Sequence, residues 1–506
     1  MNQDQNSTDT LHWVGGKSWE GTSGEFADLR DPATGAVSGR VALASAADVD
    51  QAVQTAALAG REWAATSLAK RSAVLFAFRE LVSRHTDELA RVITAQHGKV
   101  LSDAAGEVAR GLEVADFACG IPHLLKGGFS ANVSTGVDSH SIRQPLGVVA
   151  GISPFNFPVM VPMWMHPVAI ACGNAFVLKP SERDPSVSTL VAELWAQAGL
   201  PNGVFSVVNG DRRAVEALLA HPDVAAVSFV GSTPVARTVA QEAVGHGKRF
   251  QALGGAKNHM VVLPDADVDA AADAAVSAGF GSAGERCMAV SVVVAVGAAA
   301  DPFVAAVQDR IGRLQVGPGT EPGSDMGPLI TEAHRDRVAR LVGSGIAEGA
   351  APVVDGRDVQ VAGHPDGFWL GPTLLDHVTP AMEVYREEVF GPVLQVVRVE
   401  TYDEALALVN ANPYGNGTAI FTNDGWAARR FQEEVEVGMV GINVSVPVPM
   451  AYYSFGGWKQ SLFGDLHVHG QEGVQFYTRG KAVTSRWLAP SARRGSGVDL
   501  GFPTNA

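Results

Sequence analysis

Between residues 147 and 253, short apolar runs alternate with stretches of helical spacing, and this alternation constrains the fold more than any other feature. Gly147-Val148-Val149-Ala150-Gly151-Ile152, Ala175-Phe176-Val177-Leu178, Val204-Phe205-Ser206-Val207-Val208 and Ala226-Val227-Ser228-Phe229-Val230 carry almost no polar side chains. A strand with one wet face alternates apolar and polar residues, whereas a run apolar throughout is buried on both faces. The later runs each precede a helical stretch: residues 186–199, one opening near Asp211, and one opening at Thr233-Pro234. The βαβαβ order predicts an α/β fold, a parallel sheet covered on both faces. A second alternating block follows Gly255, with strands predicted at 260–263, 290–296, 394–399 and 417–421.

Around these blocks the signals are weaker. The first fifty residues, rich in Gly, Ser, Asp and Thr, predict short strands and loops; residues 46–94 have helical spacing. Pro145 argues against a helix across its segment. Residues 316–328 and 361–372 predict surface loops, and the Ser/Gly/Arg-rich tail from Ser491 predicts loose order. No internal repeat or low-complexity tract is visible.

A chain of 506 residues is long enough for two or three domains. Its net charge of −15 argues against nucleic acid or an anionic membrane as the main partner. Three cysteines, Cys119, Cys172 and Cys287, give no disulfide framework, and the polar start of the chain shows no secretory signal; both point to a reducing, cytoplasmic setting. Pro162, His166, Pro167 and Asn174 interrupt the longest apolar stretch, residues 159–178, which predicts a buried helix rather than a membrane span.

Several short runs could carry chemistry. Phe229-Val230-Gly231-Ser232-Thr233-Pro234 is a strand-to-helix turn, with Thr233 suited to the N-cap and proline to the first helical position. Free N–H groups there favour phosphate. No G-x-G-x-x-G follows any strand, so a plain α/β turn is the alternative. Lys179-Pro180-Ser181-Glu182-Arg183 follows a strand; a carboxylate there suits a ribose 2′-hydroxyl, as in NAD binding, while Arg183 suits a 2′-phosphate. A solvated charged loop is the bland alternative. Asn156, in Ser153-Pro154-Phe155-Asn156-Phe157-Pro158, has an amide able to stabilise an oxyanion, or is a turn asparagine. Glu387-Glu388-Val389-Phe390-Gly391-Pro392 offers a carboxylate and an aromatic for a sugar and a flat ring, or is an exposed acidic loop. Cys287 follows Arg286, whose guanidinium is expected to lower the thiol pKa. Cys119 and Cys172 have the surroundings of inert core residues. No Cys/His spacing resembles a zinc site, so no metal is expected.

In order and spacing, Pro-Phe-Asn-Phe-Pro, Leu-Lys-Pro-Ser-Glu, Phe-Val-Gly-Ser, Leu-Gly-Gly, the cysteine and Glu-Glu-Val-Phe-Gly-Pro resemble the aldehyde dehydrogenase superfamily over nearly the whole chain. The resemblance implies a Rossmann-type NAD-binding domain (1–126 and 147–253), an α/β catalytic domain (254–455) and a small β oligomerisation element (127–146 and 470–490). By motif, Cys287 would be the nucleophile, with Asn156 and the Cys287 N–H as oxyanion hole. Lys179 and Glu182 would hold the adenosine ribose, with Arg183 beside them. Ser153, Phe155 and Ser232 would lie along the cofactor, and Glu388 and Phe390 at its nicotinamide half.

One departure bears on the reaction. Hydrolytic members of that family place a water-activating glutamate immediately before Leu-Gly-Gly, where this chain has Ala252. Water without a base is a poor nucleophile, and a thiol ionises more readily near neutral pH. Residues 251–259, 164–174, the run Gly-Glu-Arg-Cys-Met-Ala, Phe463-Gly464-Asp465-Leu466 and residues 473–478 resemble the CoA-acylating branch of the family. That branch implies Arg110 and Arg286 on the substrate carboxylate, coenzyme A as cosubstrate, methylmalonate or malonate semialdehyde as substrate, and a homotetramer. The alternatives are a hydrolytic NAD(P)-dependent aldehyde dehydrogenase and a non-catalytic homologue with a binding role. For Arg110 the alternative is a helix-surface ion pair.

Overall fold

The computed structural model describes residues 9–487. The tail from Ser491 lies outside them, as do residues 1–8. The predicted parallel sheet forms from the four predicted runs and one strand not predicted, Arg249–Leu253. Arg249–Leu253, Val224–Val230, Val148–Ile152, Ala175–Lys179 and Phe205–Val207 lie side by side in that order, all parallel. Leu462–Phe463 adds antiparallel beside Arg249–Leu253, and His12–Val14 beside Phe205–Val207. Every residue of Val148–Ile152 and Ala175–Lys179 is buried, which explains their unbroken apolar reading. The first parallel strand in the chain, Val148–Ile152, is central: successive strands go to one side of it, then Val224–Val230 pairs on the other. Ligands of open α/β sheets sit beyond the carboxyl ends of strands at such a switch point.

The predicted second block is a seven-stranded sheet containing Asn258–Val262, Val290–Val296, Val393–Val399 and Gly417–Phe421. Only Gly254-Gly255-Ala256-Lys257 connects Arg249–Leu253, the last of the parallel strands of the first sheet, to Asn258–Val262, the first strand of the second. So short a link brings the carboxyl edge of one sheet against the amino edge of the other, and the candidate site lies between them. Phe129–Ser134, Val137–Pro145 and Thr478–Arg486 form a separate three-stranded antiparallel sheet, largely exposed, with Phe129, Val133 and Ile142 open to solvent.

Helices wrap both main sheets. The helix Ala46–Ala64 starts at a capping box: Asp48 N–H donates to the Ser45 hydroxyl while the Asp48 carboxylate accepts from Ser45 N–H at 2.8 Å. The apolar stretch at 159–178 resolves into a fully buried helix, Met160–Ala171, followed by the strand at 175. Among the described residues, no helix is long and apolar enough to cross a membrane.

Thr233 is a correction. The N-cap of the helix Thr233–Gly245 is Ser232, Thr233 is its first residue, and Pro234 is therefore second rather than first. The Thr233 hydroxyl instead accepts from Gly255 N–H at 2.8 Å, tying the helix start to the inter-sheet link. A local cap rule could not anticipate that long-range bond.

Candidate active site

Cys287 stands just before Val290–Val296, at the facing edges of the two sheets. Three consecutive residues before it, Ser282, Ala283 and Gly284, have positive φ (52°, 52° and 72°). Left-handed conformations at Ser and Ala persist only where surroundings enforce them, and they cluster at functional sites. The enforcement is visible. Ser282 N–H donates to Asp103 at 2.8 Å, and the Glu285 carbonyl accepts from the Asn156 amide at 2.9 Å. The Cys287 carbonyl accepts from Asn258 at 2.9 Å and Asn416 at 3.1 Å. A Cβ on Gly284 would sit 2.2 Å from the Gly391 carbonyl, so glycine is required where this loop meets the loop carrying Glu388 and Phe390.

The thiol lies between two spaces. On one side is a cavity of about 500 Å³ lined by Arg110, Arg286, Phe157, Trp164, Val448 and Phe455 among others. On the other is a narrow slot lined by Ala256, Gly284, Glu388 and Phe390. The thiol and Arg286 therefore line both spaces, with Arg110 in the first and Glu388 and Phe390 in the second, although Arg110 and Glu388 lie far apart in the chain.

The electrostatics differ from the sequence expectation. Arg286 does not lower the thiol pKa on balance. Burial pushes the Cys287 thiol up to about 12, and the nearby Glu388 adds to this; Arg286 opposes it most weakly. Arg286 Nη2 donates to Asp103 at 2.7 Å, which offsets part of the guanidinium's field at the thiol. Alkylation of Cys287 by iodoacetamide in the cofactor-free protein is therefore expected to accelerate about tenfold per pH unit from pH 7 to pH 9, because the thiolate fraction rises tenfold per unit below the pKa. A plateau near pH 8 in the mass-resolved labelling rate would contradict the raised pKa. Cys119 and Cys172 are buried as expected, with thiols pushed up by burial to about 11 and about 12.

Asn156 is buried and held at both ends. Its carbonyl accepts from Lys99 Nζ at 2.6 Å, and its amide donates to Glu285. Lys99 in turn pairs with Glu107 at 2.8 Å, both side chains fully buried, and Glu107 accepts from Val159 and Met160 N–H. This fixes the loop entering the helix Met160–Ala171. Neither Lys99 nor Glu107 is legible in the sequence, because a lysine in a short interhelical loop and a glutamate on the next helix both resemble solvated charges. Glu285 was also missed. It is fully buried, with its carboxyl held well above the usual range by burial. Its oxygens lie 3.8 Å from His97 Nε2 and 3.5 Å from His334 Nε2, and His334 Nε2 lies 2.7 Å from the Phe390 carbonyl. The cysteine loop and the Phe390 loop are thereby linked through buried polar groups.

The residues expected along a dinucleotide surround the switch point. Ser153 follows Ile152; its N–H donates to the Lys179 carbonyl, and its buried hydroxyl has no hydrogen-bond partner among the described residues. Lys179 Nζ donates to Glu182 at 3.2 Å, and Arg183 lies 3.7 Å from Glu182 with its side chain mostly exposed. Exposed Ser232 makes no side-chain cap bond, so the first N–H groups of a 13-residue helix remain unspent. Phe155 meets Phe390 edge-on at 5.9 Å. Phe390 itself has φ 56°, a strained value for a bulky residue. Glu388 accepts from Ala256 N–H at 2.8 Å, and burial pushes its carboxyl up to about 7; it is not the exposed acid of the bland reading. An unsatisfied hydroxyl, an uncapped helix start and a ribose-type carboxylate fit a dinucleotide.

Arg110 lines the cavity and also pairs with Glu113 one turn on, at 2.9 Å. Ala252 is fully buried in an apolar cluster with Ile152 and Phe229, between the strands Val224–Val230 and Leu462–Phe463. No group of three or more His, Cys, Asp or Glu able to hold a metal is found among the described residues.

Known proteins share this arrangement. Residues 19–483 match the profile of the Aldehyde dehydrogenase family. A malonate-semialdehyde dehydrogenase of Pseudomonas aeruginosa is 53% identical over 98% of this chain and 99% of its own. The crystal structure of a methylmalonate-semialdehyde dehydrogenase from Oceanimonas doudoroffii superposes with a TM-score of 0.95 at 53% identity, covering 96% of this chain and 100% of that one. A Sinorhizobium meliloti 1021 protein provisionally given the same activity, solved in complex with NAD, also gives 0.95, at 52% identity over 96% and 99% of the two chains.

Proposed function

The chain belongs to the aldehyde dehydrogenase family, and from that premise we propose that it oxidises malonate or methylmalonate semialdehyde with NAD and transfers the acyl group to coenzyme A. The observation that carries this reading is Ala252. Where a hydrolytic relative needs a base, this protein buries a methyl group among apolar side chains.

Cys287 Sγ attacks the aldehyde carbon, and the resulting oxyanion is met by the Asn156 amide and the Cys287 N–H. Arg110 and Arg286 hold the substrate carboxylate, for which guanidinium is the matching fork. NAD, when bound, supplies the hydride acceptor. Lys179, Glu182 and Ser232, with Ser153, Phe155 and Arg183 beside them, hold its adenosine and pyrophosphate side, and Glu388 and Phe390 its nicotinamide half. Oxidation leaves a thioester on Cys287 with a carboxylate one carbon away. Loss of CO₂ is then favourable, because the electron pair delocalises into the thioester carbonyl, and the resulting enolate carbon takes up one proton from water to give the acetyl or propionyl thioester. The CoA thiol takes the acyl group and Cys287 is released, giving acetyl-CoA or propionyl-CoA. The same reading assigns 1–126 and 147–253 to NAD binding, 254–455 to catalysis, and 127–146 with 470–490 to assembly of a homotetramer.

One observation favours a second reading. Glu388, titrating near neutrality beside the thiol, is placed to activate water. Omitting CoA decides between them. CoA transfer predicts a burst of one NADH per subunit and then near arrest, with thioester trapped on Cys287. Free acid formed at full rate without CoA would favour the hydrolytic reading instead. Arg286→Ala and Arg110→Ala are each expected to raise KM for malonate semialdehyde about tenfold or more, the value of one charged hydrogen bond, and to leave KM for propanal nearly unchanged. Equal effects on both aldehydes would remove the arginines from carboxylate recognition.

A further inference from the structure

The helix Leu101–Cys119 runs along the cavity that holds Arg110 and Arg286, and it reaches both of them. Asp103, Gly106, Glu107 and Arg110 all line that cavity, with the spacing of one helix face. Arg110 belongs to the helix itself. Arg286 comes from the cysteine loop, 183 residues on from Asp103, and Asp103 grips it: Oδ1 accepts from Arg286 Nη2 at 2.7 Å. The other oxygen, Oδ2, accepts from the N–H of Ser282 at 2.8 Å, where the left-handed stretch of that loop begins. One carboxylate therefore holds both the guanidinium and the backbone that leads to it.

Gly281 completes the seat. A Cβ there would lie 2.5 Å from Arg286 Nη1 and 2.6 Å from its Cζ and Nη2, so the guanidinium rests directly on the glycine backbone. Gly281 has φ −54° and ψ 136°, extended values that other residues adopt. The absence of a side chain at 281 thus serves the guanidinium and not the backbone. Nη2 gives one N–H to Asp103, while Nε and Nη1 make no hydrogen bond among the described residues. Whichever N–H of Nη2 is used, one two-pronged edge of the guanidinium stays whole, and such an edge matches a carboxylate. A side chain of this length left loose would have to be ordered when substrate binds, which weakens binding.

We propose that Asp103, on a seat completed by Gly281, is the positioning residue that makes Arg286 selective for aldehydes bearing a carboxylate. Asp103 and Arg110 stand seven residues apart on one rigid helix, a rise of about 10 Å, so that helix sets how far apart the two guanidiniums are held. The proposal rests on the assignment of Arg110 and Arg286 to the substrate carboxylate. Asp103 also brings a negative charge to a cavity that takes an anion. Repulsion alone predicts tighter binding once that charge is removed, whereas positioning predicts weaker binding. The ion pair with Arg286 offsets the charge in place, so the loss of order is expected to prevail.

The full-length enzyme is assayed with malonate semialdehyde and with propanal, at saturating NAD and CoA, as Asp103→Asn, Gly281→Ala, Arg286→Ala and the double variant Asp103→Asn/Arg286→Ala. Asp103→Asn keeps an oxygen for the Ser282 N–H and removes the ion pair. It is expected to raise KM for malonate semialdehyde about tenfold, the rotamer freedom of one long side chain, with far smaller changes in kcat and in KM for propanal. Gly281→Ala displaces the guanidinium while leaving Asp103 in place, and should give the same split. Its thermal unfolding midpoint should not fall, because the backbone at 281 accepts alanine and the atoms in its way end a flexible side chain. In the double variant Asp103→Asn should add nothing to Arg286→Ala, since Asp103 acts through Arg286. The proposal is overturned if Asp103→Asn lowers KM for the semialdehyde or leaves it unchanged, if both aldehydes suffer equally, or if the two effects add. A selective Arg286→Ala beside a silent Asp103→Asn overturns the role of Asp103 alone. An Arg286→Ala that does not distinguish the two aldehydes overturns the carboxylate assignment, and this proposal with it.

Discussion

Cys287→Ala is expected to lower NADH formation from malonate semialdehyde by about 10⁴-fold or more, while NAD still binds. Removal of a nucleophile that acts as one unit with its oxyanion hole has effects of this size. The thiol has a specific place that nothing replaces: Cys119 and Cys172 are buried, and neither lines the cavity that holds Arg110 and Arg286. NADH formation at fixed CoA, with NAD binding followed by fluorescence quenching, checks both halves. Activity within tenfold of the parent protein would falsify the role of Cys287. Because its thiol sits at about 12 at rest, the substitution removes a neutral group from a buried loop, and stability should change little.

Asn156→Ala is expected to reduce kcat by about 10²–10³-fold with a smaller change in KM, as for loss of one oxyanion-hole donor. Its amide also holds the Glu285 carbonyl, so part of any loss could come from a displaced cysteine loop. The pH dependence of Cys287 alkylation separates the two causes. An unchanged alkylation profile with a depressed kcat assigns the loss to the oxyanion. A profile that shifts together with kcat assigns it to the loop, and an unchanged kcat would remove Asn156 from the chemistry.

The parts legible in the sequence were those written locally. The strands at 148–152, 175–179, 290–296 and 417–421 were visible because a strand buried on both faces must be apolar throughout. The helix starts at Asp211 and Thr233 were visible because turn chemistry is local, although the cap itself proved to be Ser232. The runs around Asn156, Lys179, Ala252, Cys287 and Glu388 were visible as an ordered set, and the fold brings the thiol, Asn156 and Glu388 loops into contact.

What remained hidden depends on partners distant in sequence. Asp103, which clamps Arg286 and Ser282, lies about 180 residues from both; Asn416 reaches Cys287 from 129 residues away. The burial of Glu285 and the Lys99–Glu107 pair belongs to no pattern of spacing, because charge in a sequence does not reveal whether water will surround it.

The sequence by itself determined the α/β class, the family, and which residues stand at 252 and 287, since each is a matter of residue type and order. Tertiary structure alone decided how those residues behave. The arginine beside the cysteine is paired with an aspartate, the thiol is pushed up to about 12, and the half-buried acid at 388 up to about 7. The physical reason is that a pKa or a hydrogen bond depends on the dielectric and on partners within a few ångströms, and the chain assembles those surroundings from segments far apart in order.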